Sequence, residues 1–220
     1  MKLLLTGFEP FAGFAANPTQ RLVEEVERRP APDVEVVPVL LPVTFDGAVT
    51  RVRAAIDEHE PDGVLSLGLA AGRTCVTPER IGVNVAHVEP SAAEGGHDRA
   101  DNEGAAPRHA RIVGDGQDAL LATYAPDGAV AALRAAGVPA AVSESAGTYV
   151  CNTVLYGVLE HLRGTGREDV PAGFVHVPAT PDLALADSSL PSMDPGLLRT
   201  GLSVLLRDLS GAVQRSSRQG

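Results

Sequence analysis

The sequence predicts an α/β protein: a three-layer α/β/α sandwich on a mixed, largely parallel, twisted sheet. Three observations carry this reading. Short apolar runs of strand length alternate with longer stretches of helical spacing, and strands separated by helices imply crossovers and parallel neighbours covered on both faces. The 220 residues suit one domain, at roughly 150 residues per domain. No run approaches the ~18 consecutive apolar residues of a membrane span, and the longest, 36–43, contains Pro38.

The elements follow in order. Leu3 to Leu5, ending at Thr6-Gly7, reads as a buried strand. Asn17-Pro18-Thr19 opens a helix through about Arg28, with the proline near the first turn, where its missing N–H costs nothing. Val34 to Leu41 reads as the second strand. Val49, Val52 and Ile56 give Phe45 to His59 helical spacing, and Pro61-Asp62-Gly63 punctuates it before a strand at Val64 to Leu67. Ile81, Val83 and Val85 alternate with other residues, so Glu79 to Val88 reads as one half-buried strand. A helix near Ala129 to Ala136, a strand near Ala140 to Ser143 and a helix from about Tyr149 to Leu162 come next. A strand at Gly173 to Val177 and a helix from Pro195 to about Leu209 complete the set. The stretch from Glu89 to Gly128 is rich in Gly, Asp, Ala and His without periodicity, and reads as a functional loop or a partly disordered segment. Residues 1–213 thus form a single domain, and 214–220 read as a disordered tail.

Composition narrows the function. The net charge of −10 lacks the basic face that nucleic acid or an anionic membrane surface requires. Cys75 and Cys151 are too few for a disulfide framework and fit a reducing, cytoplasmic setting. The start, MKLLLTGFEPF, has too short an apolar stretch for a signal peptide.

Three residues carry candidate chemistry. Cys151 follows the turn-like Ser145-Ala146-Gly147-Thr148 and opens a helical face of Val154, Leu155, Val158 and Leu162. A thiol at a helix start is expected to have a lowered pKa; the alternative is a small buried hydrophobe. His176, in Phe174-Val175-His176-Val177-Pro178, lies at the strand end where ligands gather in parallel sheets, although a lone strand histidine is also an ordinary core residue. Glu79 precedes Arg80, and an ion pair between them is its plainest explanation. Taken together, a thiol needs a base, and an imidazole needs a carboxylate to orient it. The set Cys151, His176 and Glu79 supplies all three.

Other templates are absent: no phosphate-binding G-x-x-x-x-G-K-[ST], no G-x-G-x-x-G after the first strand and no G-x-S-x-G elbow. His87, Glu89, His97, Asp98, Asp101 and His109 lack compact metal-ligand spacing; they read as a solvated loop, with no metal and no cofactor expected. Phe8, Phe11 and Phe14 are three of five phenylalanines and crowd the loop after the first strand. They suit an apolar ligand pocket or a loop pinned to the core.

Four segments, in one order, resemble pyroglutamyl peptidase I, the pyrrolidone-carboxylate peptidase family of cysteine peptidases. They are TGFEPFAGF with Asn17-Pro18, LGLAAGR at 67–73, ERIGVN at 79–84, and SAGTYVCN at 145–152 together with FVHVP at 174–178. The resemblance implies an open α/β/α sandwich that removes N-terminal 5-oxoproline from peptides. It makes Cys151 the nucleophile, His176 the general base and then acid, and Glu79 the residue that orients the histidine. Phe8 and Phe11 match the aromatics that sandwich the lactam ring, and Asn17 and Leu69 match pocket-lining positions, the latter often Gln in the family. Peptides with an N-terminal pyroglutamate are the implied partners, and a homo-oligomer, dimer or tetramer, is the implied assembly. The sequence departs from the family after Asn84: the usual N-x-x-D-A-R-I-P-D-N-x-G is not in register, Asp101-Asn102-Glu103-Gly104 arrives about ten residues late, and Arg99 is the candidate for the family arginine. A phosphorylase on a similar sheet and a catalytically silent pyroglutamyl-peptide binder are the rival readings.

Overall fold

The computed structural model of the protein describes residues 1–11, 14, 16–28, 34–88, 100–185 and 187–218. Its central sheet has the strand order β2-β1-β3-β7-β4. These strands are β1 (Lys2–Phe8), β2 (Glu35–Leu41), β3 (Gly63–Leu69), β4 (Thr77–Pro78) and β7 (Ala172–Val177). The pairs β1–β2, β1–β3 and β3–β7 are parallel, and β4 runs antiparallel to β7. The central strands β1, β3 and β7 are buried along nearly their whole length, which is why they appear in the sequence as continuous apolar runs rather than alternating ones.

Each face of the sheet has its own core. On one face, α1 (Pro18–Arg28), α3 (Pro126–Ala135) and α6 (Pro195–Ser216) enclose Leu3, Leu65, Val175, Leu133 and Leu205. On the other, α2 (Phe45–His59) and α4 (Val150–Gly164) cover Leu4, Val64 and Phe174 with Val52, Ile56, Val154 and Leu155. Helix starts follow local chemistry. Asn17 Oδ1 accepts the Thr19 N–H at 3.0 Å ahead of α1, and Asp194 Oδ1 accepts the Leu197 N–H at 3.0 Å ahead of α6, each with a proline at the first helical position.

Four expected elements differ in the structure. Glu79 to Val88 is not one strand. β4 ends before Glu79, and β5 (Ile81–Val83) pairs instead with β6 (Ala119–Leu121) in a separate two-stranded sheet. Arg80 marks the change of sheet, its guanidinium held by Glu144 and Asp127. Within the stretch read as a loop, residues 100–128 are therefore ordered by β6 and by Asn84, whose side chain accepts from the Ile112 and Val113 N–H groups. Finally, α6 runs through Ser216, so the first residues of the expected disordered tail are helical. The strand expected near Ala140 to Ser143 is present as two isolated bridges, Val76 to Ala140 and Glu79 to Ser143.

Candidate active site

The sequence-predicted residues meet at the C-terminal edge of the sheet, where β3 and β7 end. In their parallel register Gly68 lies opposite His176 and Leu69 opposite Val177. Strand alternation puts Phe174 and His176 on one face, with ring centroids 4.9 Å apart. A Cβ at Gly68 would lie 2.7 Å from the Phe174 ring and 3.0 Å from Cys151 Sγ. The thiol therefore sits over the strand position beside His176, and only glycine leaves it room.

Cys151 is in the first turn of α4. Its neighbour Asn152 is fully buried and fixes this turn: Oδ1 accepts the Val83 N–H at 2.9 Å, and Nδ2 donates to the Val83 and Val85 carbonyls. Tyr149, just ahead of the helix, gives it no side-chain cap, which leaves N–H groups of the first turn for a ligand.

His176 Nδ1 lies 2.7 Å from Glu79 Oε1, in a setting where the Glu79 side chain is wholly shielded from solvent. Burial pushes the Glu79 carboxyl up. The His176 hydrogen bond and charge, the nearby Ser143 hydroxyl and the Arg73 charge outweigh it, so Glu79 titrates below its ordinary range. The Ser143 hydroxyl donates to the Ser145 carbonyl at 3.1 Å, and Glu79 Oε2 has no hydrogen-bond partner among the described residues. Burial lowers His176, only partly offset by Glu79, and Arg73 lowers it further.

The lowered thiol pKa expected from a helix start is corrected. Burial, with the negative Glu79 added, pushes Cys151 up to about 12, against smaller opposing effects of Arg73 and the backbone N–H. Desolvation exceeds the attraction of the helix terminus.

The aromatic residues divide between two roles. Phe8 is buried and packs on Phe174 at 6.3 Å, beneath the site. Phe11 is half-buried and packs against Phe14 at 6.1 Å and Tyr149 at 6.3 Å, and Tyr149 in turn meets Phe45 edge-on at 5.3 Å. Leu69 joins Ala179 and Leu183 in a small apolar cluster bordered by Phe11 and Phe14. Asn17 is buried, with Oδ1 accepting from Thr19 and Nδ2 donating to the Glu9 carbonyl at 3.1 Å, so it holds the aromatic loop in shape. The segment 100–105 lies against this loop: Asn102 Nδ2 donates to the Pro10 carbonyl, and the Tyr149 hydroxyl donates to the Ala100 carbonyl.

Residues 1–207 match the sequence profile described as pyroglutamyl peptidase, a span that includes Glu79, Cys151 and His176. The chain belongs to the pyroglutamyl peptidase family. It is 38% identical over 204 residues to the pyrrolidone-carboxylate peptidase of Enterobacter sp. strain 638, covering 93% of this chain and 90% of that one. It is 40% identical over 205 residues to the corresponding protein of Streptomyces coelicolor, with 93% and 90% covered. The crystal structure of pyrrolidone carboxyl peptidase from the hyperthermophile Pyrococcus furiosus superposes with a TM-score of 0.88, at 31% identity, covering 97% of this chain and all of that one.

Sequence reasoning gave no role to Arg73, Asn152 or Tyr149. Each lies inside a quoted motif, LGLAAGR or SAGTYVCN, and that was the available signal. Arg99, Glu89, His97 and Asp98 lie outside the described residues. Among the described residues no group of three or more His, Cys, Asp and Glu is placed to hold a metal ion; His87 and His109 stack ring on ring at 3.8 Å. Among the same residues, no helix is long and apolar enough to cross a membrane.

Proposed function

We propose that this pyroglutamyl peptidase family member is a cysteine exopeptidase that removes an N-terminal 5-oxoproline from peptides, with Cys151, His176 and Glu79 as its catalytic groups. The observation that carries this reading is the shielded 2.7 Å contact between His176 and Glu79, with His176 opposite the Gly68 over which the thiol sits. Cys151 is pushed up and His176 lowered, and both directions favour the uncharged thiol and imidazole at rest. Proton transfer then accompanies attack. Cys151 Sγ bonds to the pyroglutamyl carbonyl carbon as its proton passes to His176, whose charge Glu79 stabilises. The tetrahedral oxyanion is met by N–H groups of the uncapped first turn of α4. Collapse expels the peptide amine, which takes the proton from His176 and leaves a thioester. Water, deprotonated by His176, attacks that thioester and releases 5-oxoproline with the free thiol.

A lactam carries no ammonium for an acidic residue to grip, and the half-buried ring of Phe11 beside Tyr149 offers the apolar wall that such a neutral ring needs. Phe8 and Leu69 back this wall, and Asn17 fixes the loop that bears it. Assembly as a dimer or tetramer and a cytoplasmic location complete the proposal; two free cysteines suit the latter.

Release of a fluorescent amine from a pyroglutamyl amide, before and after iodoacetamide, tests the activity. Turnover abolished by alkylation is expected. Near-native turnover by Cys151→Ser, or turnover that survives alkylation, removes Cys151 from the chemistry.

A further inference from the structure

We infer that Arg73 is a positioning residue of this reaction, holding Glu79 as a carboxylate and tying it to the loop that presents Cys151. This rests on the catalytic roles proposed above. Arg73 follows β3 in a turn closed by its own N–H on the Ala70 carbonyl at 3.0 Å, and from there its side chain returns to the site. Nη1 donates to Glu79 Oε1 at 2.6 Å, the same oxygen that binds His176 Nδ1 at 2.7 Å. Nη1 also donates to the Thr77 hydroxyl, and Nη2 reaches the Ser145 carbonyl at 3.4 Å.

The chemistry explains why a cation stands there. A carboxylate with no solvent contact and an Oε2 without a partner among the described residues is a costly charge, and without compensation it takes up a proton. A protonated Glu79 neither stabilises an imidazolium nor fixes its tautomer. The guanidinium removes that cost through one oxygen. The other end of the fork, 29% exposed as a side chain, touches Ser145, which is six residues before the nucleophile and opens the loop leading to α4. Because the cation shares Oε1 with the imidazole, it also opposes protonation of His176, in the direction given above. Arg73 thus keeps His176 neutral and Glu79 ionised at one pH.

The test compares wild type with Arg73→Gln, Arg73→Lys, Glu79→Gln and the double variant Arg73→Gln/Glu79→Gln, following kcat, KM and the pH profile of kcat/KM. Arg73→Gln is expected to lower kcat roughly tenfold or more with little change in KM, and to move the acid limb to higher pH. Arg73→Lys, which keeps the charge, is expected to leave that limb near its wild-type position. Where Glu79→Gln has already removed the carboxylate, adding Arg73→Gln is expected to lower kcat no further; this comparison stands even if Arg73→Gln alone folds poorly. An unmoved limb in Arg73→Gln overturns the inference, as does an equal loss in Gln and Lys variants or a further loss of kcat in the double variant. His176→Ala, run alongside, separates the two levels: if it retains turnover, the catalytic roles fail, whereas a dead His176→Ala with an unaffected Arg73→Gln refutes Arg73 alone.

Discussion

Gly68→Ala is the substitution with the most legible consequence. The added Cβ would stand 2.7 Å from two Phe174 ring carbons and 3.0 Å from Cys151 Sγ, where 3.4 Å is the lower edge of ordinary contact. The ring must yield by about 0.7 Å and the sulfur by about 0.4 Å. Neither moves freely. Phe174 is buried between Phe8 and His176, and Cys151 is held by the helix turn that Asn152 fixes to β5. Overpacking of this kind costs about 1–3 kcal/mol, which in a chain of this size lowers Tm by roughly 2–4 °C per kcal/mol. Activity is expected to suffer more than stability, because displacing a nucleophile by a fraction of an ångström reduces kcat roughly ten- to hundredfold. Thermal unfolding and pyroglutamyl amide turnover of the purified variant measure both. A Gly68→Ala protein with both wild-type stability and wild-type kcat would refute the placement of the thiol over β3. A variant that lost stability but kept kcat would show that the strain is absorbed by Phe174 alone.

Three further outcomes follow from the same geometry. The iodoacetamide inactivation rate is expected to keep rising above the ordinary thiol range near pH ~8.5, because burial pushes Cys151 up to about 12; a plateau between pH ~5 and ~7 would instead reveal a preformed thiolate–imidazolium pair. Stability is expected to fall on acidification. His176 is lowered from 6.5 and Glu79 from 4.5, so the unfolded chain binds protons before the folded one, first below the ordinary histidine value and then below the carboxyl value; an unchanging Tm from pH 7 to 4.5 would contradict the direction for His176, and no further fall below pH 4.5 the direction for Glu79. Asp101→Ala removes the acceptor for the N–H groups of Phe45, Glu103 and Ala105, for an expected loss of about 2 kcal/mol and a raised KM through the loosened 100–105 segment. An unchanged Tm and KM would free that segment from any role at the pocket.

The differences between sequence and structure have local causes. The alternation of Ile81, Val83 and Val85 is real, but it does not show that β4 and β5 belong to different sheets. That break depends on Arg80 pairing with Glu144 and Asp127, 64 and 47 residues away. β6 is three residues long, too short for any period to register. The tail Gln214 to Ser216 is polar, yet it continues α6, with Arg215 in the last turn where a cation favours the helix terminus.

The sequence by itself determined the alternation of buried strands and amphipathic helices, because hydrophobic period is a local property. It also singled out Cys151, His176 and Glu79 as the candidate catalytic groups, through the motifs ERIGVN, SAGTYVCN and FVHVP. Tertiary structure alone decided how these groups behave. Register set Gly68 opposite His176 and beneath the sulfur, and a turn after β3 returned Arg73 to Glu79. Burial reversed the expected shift of the thiol. Desolvation and charge sharing depend on which segments close over a group, and separation along the chain does not encode that.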